Sequence, residues 1–380
     1  MASKRILLVG NANHQFITNY AKWLKKESNE LVIDILSNRP VKENARECYS
    51  RIFHLNFESP LFKFVNKVKG LRRFYRFFLY LRLLDELPMY DYVHFHFLIV
   101  DSGFLATQVK NYLETKVIIS IWGSDYYRVK ERDKKYFINA CYEANKITFA
   151  NEQTRDDFIE DFEWKKDNLS ICRFGLAPIE ILKKMDKSKG QCKQDLGWDS
   201  NKLSITVGYN SNPAQQHQKI IEQFTNSNLL RYKDKVELIF PLTYGGTESY
   251  KDQVEKLINK SPFEYKLYRN YLSDEEVAEI RLASDIMIQL QKTDQFSGSM
   301  QEHLYTGDIV ITGSWLPYQT MKDYGAYLLE VDKIEELVGL VPKVIDNYEG
   351  YKKKTDKNAD AIERLSSWET NIQDWIALYN

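Results

Sequence analysis

The sequence lacks most of the features that would assign it to a specialised class. It has four cysteines in 380 residues, Cys48, Cys141, Cys172 and Cys192, scattered without metal-binding or redox spacing. That excludes a disulfide-stapled scaffold and reads as reduced, intracellular thiols. It has no excess of charge: 53 Lys and Arg stand against 53 Asp and Glu. No global attraction to nucleic acid follows, and no nucleic-acid partner is expected. No apolar run is long enough to span a bilayer, and the short one at residues 5–10 is too brief for a signal peptide. The G-x-G-x-x-G fingerprint is absent, so a strong NAD site is excluded. The expected location is the cytoplasm, in solution or peripheral on the inner face of the cytoplasmic membrane. What the chain does have is length enough for two domains and many rings, 25 Tyr and 20 Phe.

Residues 5–10 read as a strand ending at Gly10. Residues 16–26 read as a helix with apolar spacing at Phe16, Tyr20, Trp23 and Leu24, and 31–36 as a second strand. This is a βαβ unit, and its crossover should be right-handed. Residues 92–97 form a strand with His94 and His96 on one face. Residues 116–121 form another, ending in Trp122, Gly123, Ser124, Asp125, Tyr126 and Tyr127. Ligands bind at the carboxyl ends of strands in open α/β sheets. Asp125 and His96 are therefore candidates for proton transfer, and the tyrosines for a sugar platform, since ring faces cover the apolar side of a pyranose. Plainer readings stand beside these: a structural histidine pair, and Ser124 or Asp125 as a helix cap. The two histidines lack nearby carboxylate or thiolate ligands, and no metal is expected.

Residues 61–86 interleave Lys63, Lys67, Lys69, Arg72, Arg73, Arg76 and Arg82 with Phe62, Phe64, Phe74, Tyr75, Phe77, Phe78 and Tyr80. Such a helix suits an anionic membrane surface, where rings enter the headgroup region and cations meet phosphates. The alternative is a core helix with a solvated basic face, and Gly70 could break it in two.

Periodicity lapses from Arg173 to Ser200, where Pro178, Gly190 and Gly197 suggest an interdomain link. A second α/β series follows. Its strands are expected at 203–208 and 236–241, with an edge at 265–268. The loop at 209–214 precedes a helix carrying His217 and Lys219, and the loop at 242–246 carries Tyr244. Ser273 and Glu276 form a capping box. The stretch from Arg364 to Asn380, with Trp368, Trp375 and Tyr379, reads as an amphipathic helix packing back on the body.

The segment from Asp294 to Gly313 carries the most chemistry. An apolar strand at 285–291 leads into the turn Phe296, Ser297, Gly298, Ser299. A helix should start there, with Ser297 or Ser299 as N-cap, carry Glu302, and stop near Gly307 before a strand at 309–312. Free N–H groups at such a helix start favour a phosphate. Asp294 and Glu302 frame the turn, and ionised carboxylates can accept hydrogen bonds from ribose and sugar hydroxyls. A Ser-Gly turn and a solvated Glu are common in any α/β protein, which is the bland alternative.

Asp294, seven residues, then Glu302, a helix, Gly307 and an apolar strand together resemble the E-x7-E signature of family 4 glycosyltransferases, with Asp in place of the first Glu and Gln295-Phe296-Ser297 in place of Gly-Phe-Gly. Several pieces also resemble the family 56 transferases, which use a dTDP-linked N-acetyl-4-aminofucose donor and a lipid-linked acceptor. These are His94-Phe95-His96-Phe97, Trp122 to Tyr126, Val207 to Ser211 with His217, and Phe240 to Tyr244 with Tyr250 to Val254. The resemblance implies an α/β fold of the GT-B type, two Rossmann-like domains facing each other across a cleft. It implies an acceptor-binding domain at 1–180, a donor-binding domain at 200–360 and a C-terminal helix at 361–380. Asn210, Ser211, His217, Lys219, Tyr244, Ser297, Gly298 and Ser299 would approach the donor's diphosphate or base, Glu302 its ribose and Asp294 its sugar. The family's Arg at the first loop is missing, and Lys219 stands as the nearby cation. No D-x-D occurs, so a metal-bridged diphosphate is not expected and no cofactor is implied. An inverting reaction would need a base, Asp125 or His96, and a retaining one would not. The implied partners are a nucleotide sugar and a saccharide or lipid-linked acceptor, in bacterial surface polysaccharide synthesis. A nucleotide-sugar 2-epimerase of the same fold and a non-catalytic binding protein remain alternatives.

Overall fold

The structure is a computed structural model that describes residues 3–55, 59–68, 70–225, 228–294 and 296–380. Lys69 and Gln295, both singled out above, lie outside the described residues. The chain divides into two compact units, Met1–Phe174 with Asn371–Asn380, and Gly175–Thr370.

Among the described residues, the first unit holds seven strands: β1 Lys4–Gly10, β2 Leu31–Ser37, β3 Ile52–His54, β4 Tyr92–His96, β5 Lys116–Ile121, β6 Lys146–Phe149 and β7 Leu169–Ile171. They form one parallel sheet in the order β3-β2-β1-β4-β5-β6-β7. Helices on both faces bury these strands, which is why β1, β4 and β5 read as nearly continuous apolar runs rather than alternating ones. The core runs through Val9, Phe95, Ile119 and Phe149. Its last pieces come from the far end of the chain. Trp375 is fully buried, with its ring 4.8 Å from Tyr20 and 4.7 Å from Phe174, and its indole N–H donates to the Arg173 carbonyl.

The second unit holds β8 Leu203–Val207, β9 Val236–Pro241, β10 Glu264–Tyr268, β11 Ile286–Gln289, β12 Ile309–Gly313 and β13 Leu329–Val331, again all parallel, in the order β10-β9-β8-β11-β12-β13. Both sheets reverse their strand order beside their first strand, between β1 and β4 and between β8 and β11. Those are the switch points where open α/β sheets bind ligands.

Two details differ from the sequence reading. Residues 175–200 are folded into the second unit as the helices Ala177–Leu182 and Lys189–Asp195. Pro178 occupies the first turn of one, and a Ser188–Gln191 capping box opens the other. The residues that suggest a link are helix punctuation, and Cys192 and Trp198 pack with Ile239, Ile280 and Ala283. The expected single terminal helix is two, Asn358–Ser366 and Trp368–Ile376, broken at Ser367, whose backbone is extended at φ −82 and ψ 135. Residues 61–86 follow the alternative of a break at Gly70: they form two helices, Pro60–Val65 and Leu71–Leu84, and the Gly70 φ of +93 favours glycine.

Candidate functional site

The second unit's switch point is built around Gly208, just after β8. Its φ is +64, and a Cβ there would stand 2.9 Å from His217 Nε2 and 3.0 Å from Gln215 Oε1. Glycine thus lets the backbone pass the imidazole edge without a clash. His217 opens the helix His217–Thr225 and is fully buried. Its Nδ1 meets the Tyr250 hydroxyl at 3.0 Å, and its Nε2 is buried with no partner. Burial holds its pKa down to about 3, so the ring is neutral near neutral pH. When the Tyr250 hydroxyl donates to Nδ1, the proton sits on Nε2 and the ring offers a neutral donor.

Lys219 does not join His217. It is exposed, while His217, Ile220 and Ile221 are buried. Two residues along a helix turn the side chain by roughly 200°, so Lys219, expected as the cation near the donor's diphosphate, faces away from His217. Ser211 is also not free to contact a ligand. It is fully buried, its hydroxyl donates to the Tyr244 carbonyl at 2.8 Å and accepts from the Gly246 amide at 2.9 Å. It ties two loops together. Asn210 accepts from the Asn212 amide at 2.9 Å, a turn that shapes the same loop. Tyr244, half exposed, stands 6.5 Å ring to ring from Tyr271, which is 72% exposed.

The turn after β11 folds as the residues suggest. Ser297 caps the helix Gly298–Tyr305 by accepting from the Met300 amide at 3.2 Å, and Thr306 and Gly307 end it. The Ser299 hydroxyl, in the first turn, is buried with no partner. Glu302 is buried and its Oε2 accepts from Arg281 Nε at 3.0 Å. Burial pushes its carboxyl up and Arg281 draws it back, leaving it raised. Asp294 accepts from the Tyr318 hydroxyl at 2.5 Å. Tyr209 links the parts: the Asp294 carboxylate acts on Tyr209, and Glu302 and Arg281 act on Tyr244 beside it. Asp294, Tyr209, Tyr244, Glu302 and Arg281 thus form one neighbourhood. Arg281 and Tyr271 escaped the sequence reading: Arg281 lies 21 residues before Glu302 on the helix Asp274–Ala283, with no motif to mark it.

In the first unit, β4 delivers His94 and His96 to different fates. His94 meets the Tyr379 hydroxyl at 2.6 Å and Ser120 Oγ at 2.7 Å, and Ser120 pairs with Thr148 at 2.7 Å. It is a structural histidine. His96 ends the strand at the switch point. Both its ring nitrogens, and the neighbouring Trp122 Nε1, are buried with no partner. Phe174, Tyr20 and Trp122 surround the ring at 6.0, 5.0 and 6.2 Å. Burial holds His96 at about 3.

Asp125 is buried, and its two oxygens accept from the Leu98 amide at 2.8 Å and the Trp122 amide at 2.9 Å. It holds the loops after β4 and β5 together. Burial outweighs these bonds and lifts its pKa to about 6. Tyr126 is not a sugar platform. It is buried against Phe137 and Phe158, with its hydroxyl on Asp161. Tyr127 is half exposed and bonds Asp157. Among the described residues, no group of three His, Cys, Asp or Glu side chains stands close enough to hold a metal ion.

Residues 5–151 match the sequence model of the family described as Glycosyl transferase 4-like. No curated protein matches the sequence. Solved structures of similar fold include a glycosyltransferase from Rickettsia africae, 14% identical, covering 100% of this chain and 98% of that one at a TM-score of 0.76. Anabaena HepE, solved in complex with UDP and glucose, is 10% identical, with 98% of each chain covered and a TM-score of 0.74. Sucrose-phosphate synthase from Thermosynechococcus elongatus is 12% identical, covering 99% of this chain and 98% of that one at 0.72. The chain has the α/β fold of the GT-B glycosyltransferases, two Rossmann-like units with one parallel sheet each, and a glycosyltransferase-like match over residues 5–151 in the first of them.

Proposed function

We propose that this protein is a glycosyltransferase that moves a sugar from a nucleoside-diphosphate donor, held on the second unit, to a saccharide or lipid-linked acceptor received at the switch point of the first. The setting that fits the resemblance is bacterial surface polysaccharide synthesis at the inner face of the cytoplasmic membrane. The observation that carries the donor site is the buried, unpartnered His217 Nε2 beside Gly208 at the β8 end. A neutral imidazole donor and the first amides of the helix Gly298–Tyr305 suit the charge that develops on a departing diphosphate. Arg281 adds the fixed cation that the first loop lacks. Tyr244 and Tyr271 offer ring faces to the base, and Asp294 and Glu302 offer acceptors to sugar and ribose hydroxyls.

In the reaction the bond from the anomeric carbon to the diphosphate oxygen breaks, and a bond to the acceptor oxygen forms. The acceptor proton leaves to a base in an inverting reaction. Asp125, with its pKa lifted to about 6, has the matched proton affinity. His96 has the unengaged nitrogens.

A thermal-shift screen over nucleotides and nucleotide sugars tests the donor half, because a tight ligand raises stability by mass action. The HepE complex makes UDP and UDP-glucose the first probes, with the dTDP series beside them. The expected result is a shift with one nucleoside diphosphate that Gly208→Ala reduces. No shift across both series would refute the donor site. Conversion of a free UDP-sugar with no acceptor present would identify an epimerase instead, and binding without any turnover would identify a binding protein.

A further inference from the structure

The helices Pro60–Val65 and Leu71–Leu84 have two unlike faces. The inward face is committed to the first unit. Phe77 stacks on Phe104 at 4.0 Å with the rings 8° apart. Arg73 pairs with Asp133 at 3.0 Å and Arg76 with Asp101 at 3.0 Å. Tyr80 and Leu84 are buried. The outward face is the reverse of what a solvated helix shows. Leu61, Phe64, Leu71, Phe74 and Phe78 are 56, 69, 58, 73 and 58% exposed. Leu71, Phe74 and Phe78 follow the three- and four-residue steps of one helical stripe. Beside them stand the exposed cations Lys63, Lys67, Arg72 and Arg82. Lys67, Arg72 and Arg82 have no ion-pair partner among the described residues. No acidic residue occurs in the sequence from 59 to 84.

We infer that this outward face docks on an anionic lipid bilayer, with Phe64, Phe74 and Phe78 entering the headgroup boundary and the cations meeting lipid phosphates. Protein–protein interfaces are depleted of Lys at their cores. Here cations and rings are mixed with no acid between them, the composition of a helix lying in a membrane surface. Among the described residues no helix is long and apolar enough to cross a membrane, so the contact is peripheral. The structure also divides the cations. Arg73 and Arg76 hold the helix to its own unit, and Lys67, Arg72 and Arg82 are the ones left for lipid.

This deepens the proposed acceptor class, and it is read without donor or acceptor, so it stands or falls separately. Purified full-length protein is co-sedimented with phosphatidylcholine vesicles that contain or lack phosphatidylglycerol. Binding is expected only with phosphatidylglycerol, and it should weaken as salt screens the charges. Arg72→Glu with Arg82→Glu should weaken it about tenfold or more, and Phe74→Ser with Phe78→Ser comparably. Both pairs lie on the surface, so the melting temperature and the nucleotide-induced shift should not change. Arg73→Glu, by contrast, should lower the melting temperature. Equal binding to phosphatidylcholine alone, or no binding to either vesicle, overturns the inference. So does a solution dimer that Phe74→Ser with Phe78→Ser turns into a monomer, since a second copy would then be the occupant.

Discussion

Arg281 Nε and Glu302 Oε2 lie 3.0 Å apart, with both side chains less than a tenth exposed. A carboxylate read from the sequence as a ribose contact is therefore also half of a buried ion pair. The two roles separate by substitution. Glu302→Ala strands a buried guanidinium and should cost about 3–5 kcal/mol of stability, so its loss of activity would be uninformative. Glu302→Gln keeps an oxygen for Arg281 and should fold. Its kcat/KM should fall about a hundredfold if the ribose is held by charge, which compares with about 2.7 kcal/mol of transition-state binding. An unchanged kcat/KM would leave Glu302 a structural residue only.

Gly208 makes a second prediction. Alanine there adopts a left-handed conformation at a cost of roughly 1–2 kcal/mol, and its methyl group crowds His217 Nε2. Gly208→Ala should fold with a lower melting temperature and bind the nucleotide more weakly. Calorimetric titration with UDP or dTDP checks it. Full affinity in the variant would show that the imidazole edge faces no ligand.

Acid should weaken this protein early. His96 and His217 are held near 3 and His303 near 4 by burial, against an ordinary value of 6.5. These depressed groups contribute stability that is present above pH 6.5 and lost as pH falls toward 4 and 3, each by up to about 1.4 kcal/mol per pH unit. Asp125 runs the other way: raised to about 6, it gives stability that is lost as pH rises through that value. His14 and His94 are lowered as well, and five such histidines outweigh the two raised carboxyls, Asp125 and Glu302, so melting temperature should drop between pH 7 and pH 5. His217→Gln should flatten that slope. A melting temperature that rises on acidification would contradict the burial of these rings.

Asp125 can be tested as a base without mistaking a folding defect for a catalytic one. Asp125→Asn keeps one acceptor and turns a donor toward the other amide, which should cost about 1–3 kcal/mol. If Asp125 takes the acceptor proton, kcat should fall on the order of a hundredfold or more while the nucleotide shift stays. If only stability falls, the base is His96 or none is used.

Much of the fold was legible because parallel strands, covered on both faces, leave unbroken apolar runs such as those at β1, β5 and β12. The capped turn at Ser297 was legible for a similar reason: a small polar cap and a terminal glycine are local requirements. The three-residue strands β3, β7 and β13 were not, being too short and too exposed to show a period. Contacts across the sequence were also hidden. Nothing in the local pattern says that Arg281 meets Glu302, that Tyr318 meets Asp294, or that Ser211 spends its hydroxyl on the Tyr244 loop. Lys219 and His217 face different ways for a geometric reason, since nearness in sequence on a helix is not nearness in direction.

The terminal segment gives the last prediction. Trp375 and Tyr379 are almost fully buried in the first unit, where Tyr379 bonds Tyr20 and His94 at 2.6 Å each. Removing residues 371–380 takes away two large aromatic side chains, each worth about 3–5 kcal/mol when truncated in a core. The shortened protein should lose its near-ultraviolet dichroism and should be cleaved rapidly by protease within residues 1–174. Unaltered resistance there would show that the first unit closes without its tail.

That placement sets an order on synthesis. The first unit cannot close its interior until residues 371–380 have been made, after the whole of Gly175–Thr370. A stop placed just before residue 371 would therefore injure the unit made first and spare the unit made most recently.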